Sequence, residues 1–286
     1  MTRLLAAFII LGALLLPCAQ AGEPQGVLAT IKKTGVIRLG YLASSPPFSF
    51  DSGGNIPAGF SVDLCRRAAE GIRSQLGLAS LRTEWVKLDL SNRLAAVRDG
   101  KVDIECATST ITLSRLEKVD FTHMTFISGG ALLVKRGSGI HSVAGLVDET
   151  VAVVPGTTTE KALRAALEKS FVNAKLVPVK DHAEGLAAVE SGKASAYASD
   201  RVILVGLLLD SGKLDQFGLA EEPFSYEPYG FMVRRNDADF RLVANRTLAR
   251  LYRTGEVLKI FERWFGKLGD PPPALAAMYL MNSIPE

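Results

Sequence analysis

Cysteine and histidine are scarce in this chain, with three of each in 286 residues. Cys18 falls in the N-terminal segment, so a zinc site would have to draw on Cys65 and Cys106, and neither has a histidine at ligand spacing. No metal and no cofactor is expected. Charge of one sign is also missing: the formal net charge is +3, and Lys and Arg are scattered among acids rather than grouped. So weak a balance releases few phosphate counterions, which argues against nucleic acid as a partner. After the first 21 residues no run approaches the roughly 20 apolar positions that a bilayer span requires. There is no Gly-x-Ser-x-Gly elbow, and Ala187 stands where a phosphate loop ending in Gly192-Lys193 would need glycine.

What is present begins with a leader. Arg3 is followed by an apolar run from Leu4 to Leu16 and then by Ala19-Gln20-Ala21, the pattern of a cleavable secretory signal over residues 1–21. The mature chain is expected to start near Gly22, and loss of Arg3 lowers the formal charge from +3 to +2. Pro17 stands before Cys18 where a lipid anchor would want a small residue, which disfavours lipidation. In an exported protein Cys65 and Cys106 could pair. Yet one lies in a helical pattern and the other in a buried strand pattern, where single cysteines serve as small hydrophobes, so two free thiols are expected.

Strand and helix patterns then alternate, as a parallel sheet requires. Strands are expected at Val36–Tyr41, Leu81–Val86 and Val102–Cys106, with helices at Phe60–Ile72 and Ser91–Arg98 and a proline loop at Ser44–Phe48. A second series follows Phe126–Gly130, with strands at Ala131–Val134, Val151–Val154, Ala174–Val179 and Ala194–Ala198. Its helices are expected at Glu160–Lys169, opened by the capping box Thr157-x-x-Glu160, and at Ala183–Ser191. Two amphipathic helices, Asp237–Thr254 and Gly255–Phe265, are expected to pack on the first series, and Pro271-Pro-Pro273 ends the helical region before a surface tail.

One segment carries more chemistry than the rest. From Asp103 through Glu105 and Cys106, an apolar strand runs into Thr108, Ser109, Thr110 and Thr112 and then Arg115. An arginine fork matches a carboxylate in two parallel charge-assisted bonds, and neighbouring threonines add hydroxyl and N–H donors. A solvated loop with a surface arginine is the competing reading. Open sheets bind ligands beyond the carboxyl ends of their strands, and three such ends here are polar: Thr108–Thr112, Gly156–Thr159 and Asp200. If the two series are separate lobes, Arg115 on one and Asp200 on the other would grip a zwitterion across a cleft.

The chain resembles the family 3 periplasmic solute-binding proteins, the amino-acid receptors of ABC importers, and is most similar to their glutamate/aspartate-binding branch. The resemblance is carried by Thr34-Gly-Val-Ile37, Pro47-Phe48, Gly59-Phe-Ser-Val-Asp63, Val102-Asp103, the run ending in Arg115, and Val119-Asp-Phe121. It continues in Pro155-Gly-Thr-Thr158, Lys180-Asp-His182, Glu190-Ser-Gly192, Tyr229-Gly230 and Trp264-Phe265. It implies an α/β type II clamshell of two lobes, each a mainly parallel sheet flanked by helices. The lobes would comprise residues 22–127 with 225–286, and 128–224, hinged at Phe126–Gly130 and Phe224–Tyr229. It implies that Arg115 and Thr110 hold an α-carboxylate with a backbone donor from Thr158, and that Asp200 and Thr108 hold the α-ammonium. Arg93 and His182 would read the ligand's side chain. Two positions depart from the branch: Leu42 replaces an arginine, and Leu90 replaces a serine. An amino acid with an acidic or amide side chain, a membrane permease, a periplasmic location and a monomeric state follow as expectations. The alternatives are a dehydratase of a small carboxylic acid on the same fold, with Glu105 as the acid in the segment, and a sensor-type binding protein.

Overall fold

The computed structural model describes residues 24–286. The leader at 1–21, the expected start near Gly22 and Cys18 lie outside them. Along the chain run α1 (Gly26–Thr34), β1 (Val36–Leu42), β2 (Ser44–Ser45), β3 (Ser49–Asp51), β4 (Pro57–Ala58), α2 (Phe60–Gln75) and β5 (Arg82–Leu88). Next come α3 (Arg93–Arg98), β6 (Ile104–Glu105), α4 (Leu113–Leu116), β7 (Asp120–Ser128), β8 (Gly130–Lys135), β9 (Thr150–Val153) and α5 (Thr158–Lys169). The remainder is β10 (Lys175–Pro178), α6 (His182–Glu190), β11 (Ala196–Asp200), α7 (Arg201–Ser211), β12 (Phe217–Leu219), β13 (Glu227–Val233), α8 (Ala238–Arg253), α9 (Glu256–Phe265) and α10 (Pro273–Met281).

Two five-stranded sheets organise these elements, in the orders β5-β1-β6-β13-β7 and β10-β9-β11-β8-β12. In the first, β1 pairs in parallel with β5 and β6, while β13 runs antiparallel to both β6 and β7. The second joins β10, β9 and β11 in parallel and adds β8 and β12 antiparallel. The chain leaves the first sheet after β7 and returns to it at β13, so two strands of that sheet bracket the whole of the second.

Helix placement follows from local chemistry. Thr157 caps α5 by accepting from the Glu160 N–H at 3.1 Å, and Glu160 returns the bond from the Gly156 N–H at 2.8 Å. Asp181 caps α6 through the Glu184 N–H at 3.0 Å, which starts that helix one residue earlier than expected and makes His182 its first residue. The apolar faces of α8 and α9 lie on the first sheet and α2, where Phe48, Phe60, Phe126 and Phe265 form edge and stacked ring pairs. α7 reaches across from the second lobe to the β2 loop. A Cβ at Gly206 would stand 2.4 Å from the Pro46 carbonyl oxygen, so only glycine permits this approach.

Two expectations are corrected. Cys65 and Cys106 form a disulfide, with Cα atoms 5.9 Å apart, because the buried face of α2 lies over the end of β6. Beyond the triple proline the chain is not a surface tail: Pro273 opens α10, which buries Leu275, Met278 and Tyr279. Proline's fixed φ and missing N–H suit the first helical turn, so a proline cluster can open a helix as readily as close one. Among the described residues no helix is long and apolar enough to cross a membrane.

The disulfide closes a loop with a sequence separation of 41. Loop-closure entropy assigns it about 4 kcal/mol. Replacing both cysteines by alanine is expected to lower the thermal midpoint by roughly 8–16 °C. An unchanged melting curve would contradict this.

Candidate functional site

The polar strand ends of the two sheets meet. A cavity between them is lined by Arg93, Thr108, Thr110, Thr158, His182 and Asp200, with Leu90, Thr159, Tyr197 and Ser199 among its further walls. It is tightly shut: it encloses about 20 Å³, room for about one water. The Thr110 and Thr158 hydroxyl oxygens, one from each lobe, stand 3.1 Å apart. Any solute of amino-acid size can enter only if the lobes separate.

On the first lobe, Arg93 begins α3 and is buried, with Nη1 donating to the Thr108 carbonyl at 3.3 Å. Arg115 is not among the residues that line the cavity; Thr112 caps α4, and Arg115 Nη1 donates to the carbonyl of the lining residue Thr110 at 2.8 Å. Burial first, and then the neighbouring Arg93, push its guanidinium down to about 10, so it stays charged at neutral pH. Leu90 reaches the cavity wall, but Leu42 does not. Leu42 is 2% exposed and belongs to an apolar cluster with Leu88, Val97, Val102 and Val119.

The second lobe contributes the N-terminus of α5 and the end of β11. Thr158 and Thr159 occupy the first turn of α5, whose backbone N–H groups have no intrahelical acceptor and carry the positive end of the helix dipole. Asp200 closes β11 and accepts from the Thr159 hydroxyl at 2.7 Å and from the Tyr229 hydroxyl. Its carboxyl is pushed up to about 6, by burial first and by the Glu227 charge second. His182 shares a 2.7 Å hydrogen bond between Nδ1 and the Tyr197 hydroxyl and lies 3.4 Å from Ser199 Oγ. Burial, and then Arg93, push the imidazole down to about 4, so it is neutral at physiological pH.

Glu227 is the site residue that sequence reasoning missed. It is 1% exposed and accepts from the Thr110 hydroxyl at 2.6 Å, the Thr158 hydroxyl at 2.8 Å and the Ser225 hydroxyl at 2.6 Å. Both threonine protons are thereby committed to Glu227, and the contact between the two hydroxyls adds no further bond. A signal for it existed: strand alternation puts Glu227 on the same face as Tyr229, in a segment already expected to cross between lobes. Among the described residues no cluster of His, Cys, Asp and Glu has a metal-binding arrangement.

The sequence model of the bacterial extracellular solute-binding proteins, family 3, matches residues 37–267. The chain belongs to this family. It is 34% identical over 274 residues to the L-glutamate/L-aspartate-binding protein of Pseudomonas aeruginosa, covering 96% of this chain and 90% of that one. It is 32% identical to the glutamate/aspartate import solute-binding protein of Escherichia coli, covering 87% and 82% respectively. Among solved structures, the ancestral amino acid-binding protein AncCDT-1, a precursor of cyclohexadienyl dehydratase, superposes with a TM-score of 0.73. That protein shares 30% identity over 84% of this chain and 100% of its own. The fold of this solute-binding protein is accordingly the two-lobed type II clamshell.

Asp200 and His182 act on stability with opposite sign. Asp200 keeps its proton up to about 6 when folded and to about 3.9 when unfolded, so its contribution is present at low pH and lost as pH rises through that window. His182 is neutral down to about 4 when folded and to about 6.5 when unfolded, so its contribution is present above 6.5 and lost as pH falls. Each effect is on the order of 2 kcal/mol. Relative to wild type, Asp200→Asn should gain stability between pH 4.5 and 7, and His182→Gln should lose it. Denaturant titrations at both pH values check this, and pH-independent differences would refute the assignment.

Proposed function

We propose that the mature chain is the periplasmic receptor of an ABC importer, and that its ligand is a free amino acid with an acidic or amide side chain. The observation that carries this reading is the opposition across the shut cleft of Thr110, backed by the Arg115 guanidinium on its carbonyl, to Asp200 and the N-terminus of α5. A zwitterion fits that polarity: its carboxylate meets a guanidinium, hydroxyls and helix N–H groups, and its ammonium meets a buried carboxylate. Thr108 adds an oxygen on the ammonium side. The relatives named for glutamate and aspartate, similar over most of the chain, support an acidic ligand.

The side-chain end is less cationic than that of an acidic-amino-acid site. Leu42 is core and Leu90 is apolar, which leaves Arg93 as the cation and the neutral His182 as a hydrogen-bonding partner. One charge-assisted bond is worth about 1.5–3 kcal/mol, or roughly ten- to a hundredfold in affinity. Its loss lets an amide compete with a carboxylate at this position.

Residues 22–127 with 225–286 form one lobe and 128–224 the other. They hinge at Phe126–Gly130 and Phe224–Tyr229, and the leader is removed on export. The amino acid docks first on Arg115 of the open form, and closure then brings Asp200 and α5 onto it. The ligand's carboxylate competes with Glu227 for the Thr110 and Thr158 hydroxyls, while its ammonium compensates the like charges of Asp200 and Glu227. The receptor acts as a monomer that delivers its ligand to a membrane permease, and it catalyses no reaction. An imidazole held near 4 is a poor base for Ser199, which weakens a nucleophilic mechanism.

Calorimetric titration of residues 22–286 with each amino acid is the test. Binding should be confined to amino acids with acidic or amide side chains, and failure to bind any of them would sink the reading. Leu90→Ser restores a donor to the cavity wall. It should tighten glutamate or glutamine by roughly five- to tenfold relative to norvaline, and an unchanged ratio would count against Leu90 as a specificity position.

A further inference from the structure

Glu105 is fully buried, and neither of its carboxylate oxygens makes a hydrogen bond of ordinary length and angle; the neutral donors that face it are the Ser109 hydroxyl, itself buried and unpaired, and the Met232 backbone N–H. It sits on β6, the middle strand of the first sheet, where Glu105 is registered with Gly40 of β1 and Met232 of β13. Neither side chain can donate to it. The charge that faces it comes from the helices above the sheet. Burial raises the carboxyl above its ordinary range, and Arg93, whose Nη1 is 3.7 Å from Glu105 Oε1, opposes that more than Ser109 or Arg115 does. Asp103, two residues earlier, is already paired with Arg38 at 2.7 Å and is not available for the same task.

Buried carboxylates persist where a counter-charge offsets their desolvation. Arg93 is that counter-charge, and the relation is reciprocal. Behind it the guanidinium meets Glu105 and the Thr108 carbonyl, and in front it lines the cavity. Its like-charged neighbour Arg115 tends to push it away. A carboxylate on the central strand cannot follow a moving guanidinium, so it fixes where Arg93 points.

We propose that Glu105 is a positioning residue for Arg93, holding its guanidinium aimed at the polar end of the ligand's side chain. This rests on the amino-acid reading of the site. It assigns Glu105 no contact with the ligand, and it predicts that the residue matters only for ligands Arg93 can reach.

The test is calorimetry on wild type and Glu105→Gln with matched ligands: glutamine and glutamate against norvaline, and asparagine and aspartate against 2-aminobutyrate. The variant should bind the polar members about tenfold more weakly and the apolar members within about twofold of wild type. An equal loss for both members of a pair overturns the proposal, because a carboxylate that matters only for folding would move all ligands alike. So does the absence of any loss, or a gain, for the polar members. If wild type binds none of these ligands, the amino-acid reading itself fails. Should Glu105→Gln not fold, Glu105→Asp, which keeps the charge and withdraws it by one methylene, carries the same comparison. A several-fold loss confined to the polar ligands supports the proposal, and a uniform loss or none overturns it.

Discussion

A carboxylate taken out of water must find donors or a counter-charge, and three of them, Glu105, Asp200 and Glu227, are buried where the two sheets meet. Their partners come from many directions: hydroxyls of Thr110, Thr158, Thr159, Ser225 and Tyr229, and guanidinium groups of Arg93 and Arg115. The sheet order, the cap of α5 and the return of the chain at β13 are what bring these groups together. Partners that lie on opposite lobes also tie local electrostatics to the relative position of the lobes. Glu227 makes this explicit, since its two threonine donors come one from each side.

Much of this arrangement is legible in the sequence, and the reasons differ by element. The Thr157-x-x-Glu160 box specifies where α5 starts because cap chemistry is local, and the apolar runs of β1, β8 and β11 announce buried strands for the same reason. The polar strand ends point to a cleft because residues beyond a sheet's carboxyl edge have nowhere else to project. What stays hidden depends on distant partners. The Cys65–Cys106 pairing requires knowing that α2 covers the end of β6. The role of Glu227 requires knowing that the chain re-enters the first sheet between β6 and β7. Leu42 shows a third limit, since a residue at the right place in an aligned motif can still turn its side chain into the core.

The cavity's closure explains how a site of this kind selects. With room for about one water, the shut form gives a solute no loose fit. Binding free energy must therefore come from contacts that exist only when both lobes touch the ligand, and it is diminished by whatever the lobes give up in parting. The threonine bonds to Glu227 are among those interactions, so the affinity of the receptor is a difference between two well-bonded states.

The glycine at position 206 has a bearing on this balance that does not involve the ligand. Its missing side chain lets α7 press against the Pro46 carbonyl, and neither residue is among those that line the cavity. Any side chain placed there would penalise the shut form alone, and every solute's apparent affinity would fall by one common factor. On the proposed amino-acid reading the molecule thus keeps two adjustments, one at the cleft that ranks solutes and one at the lobes' seam that sets the concentration at which all of them register.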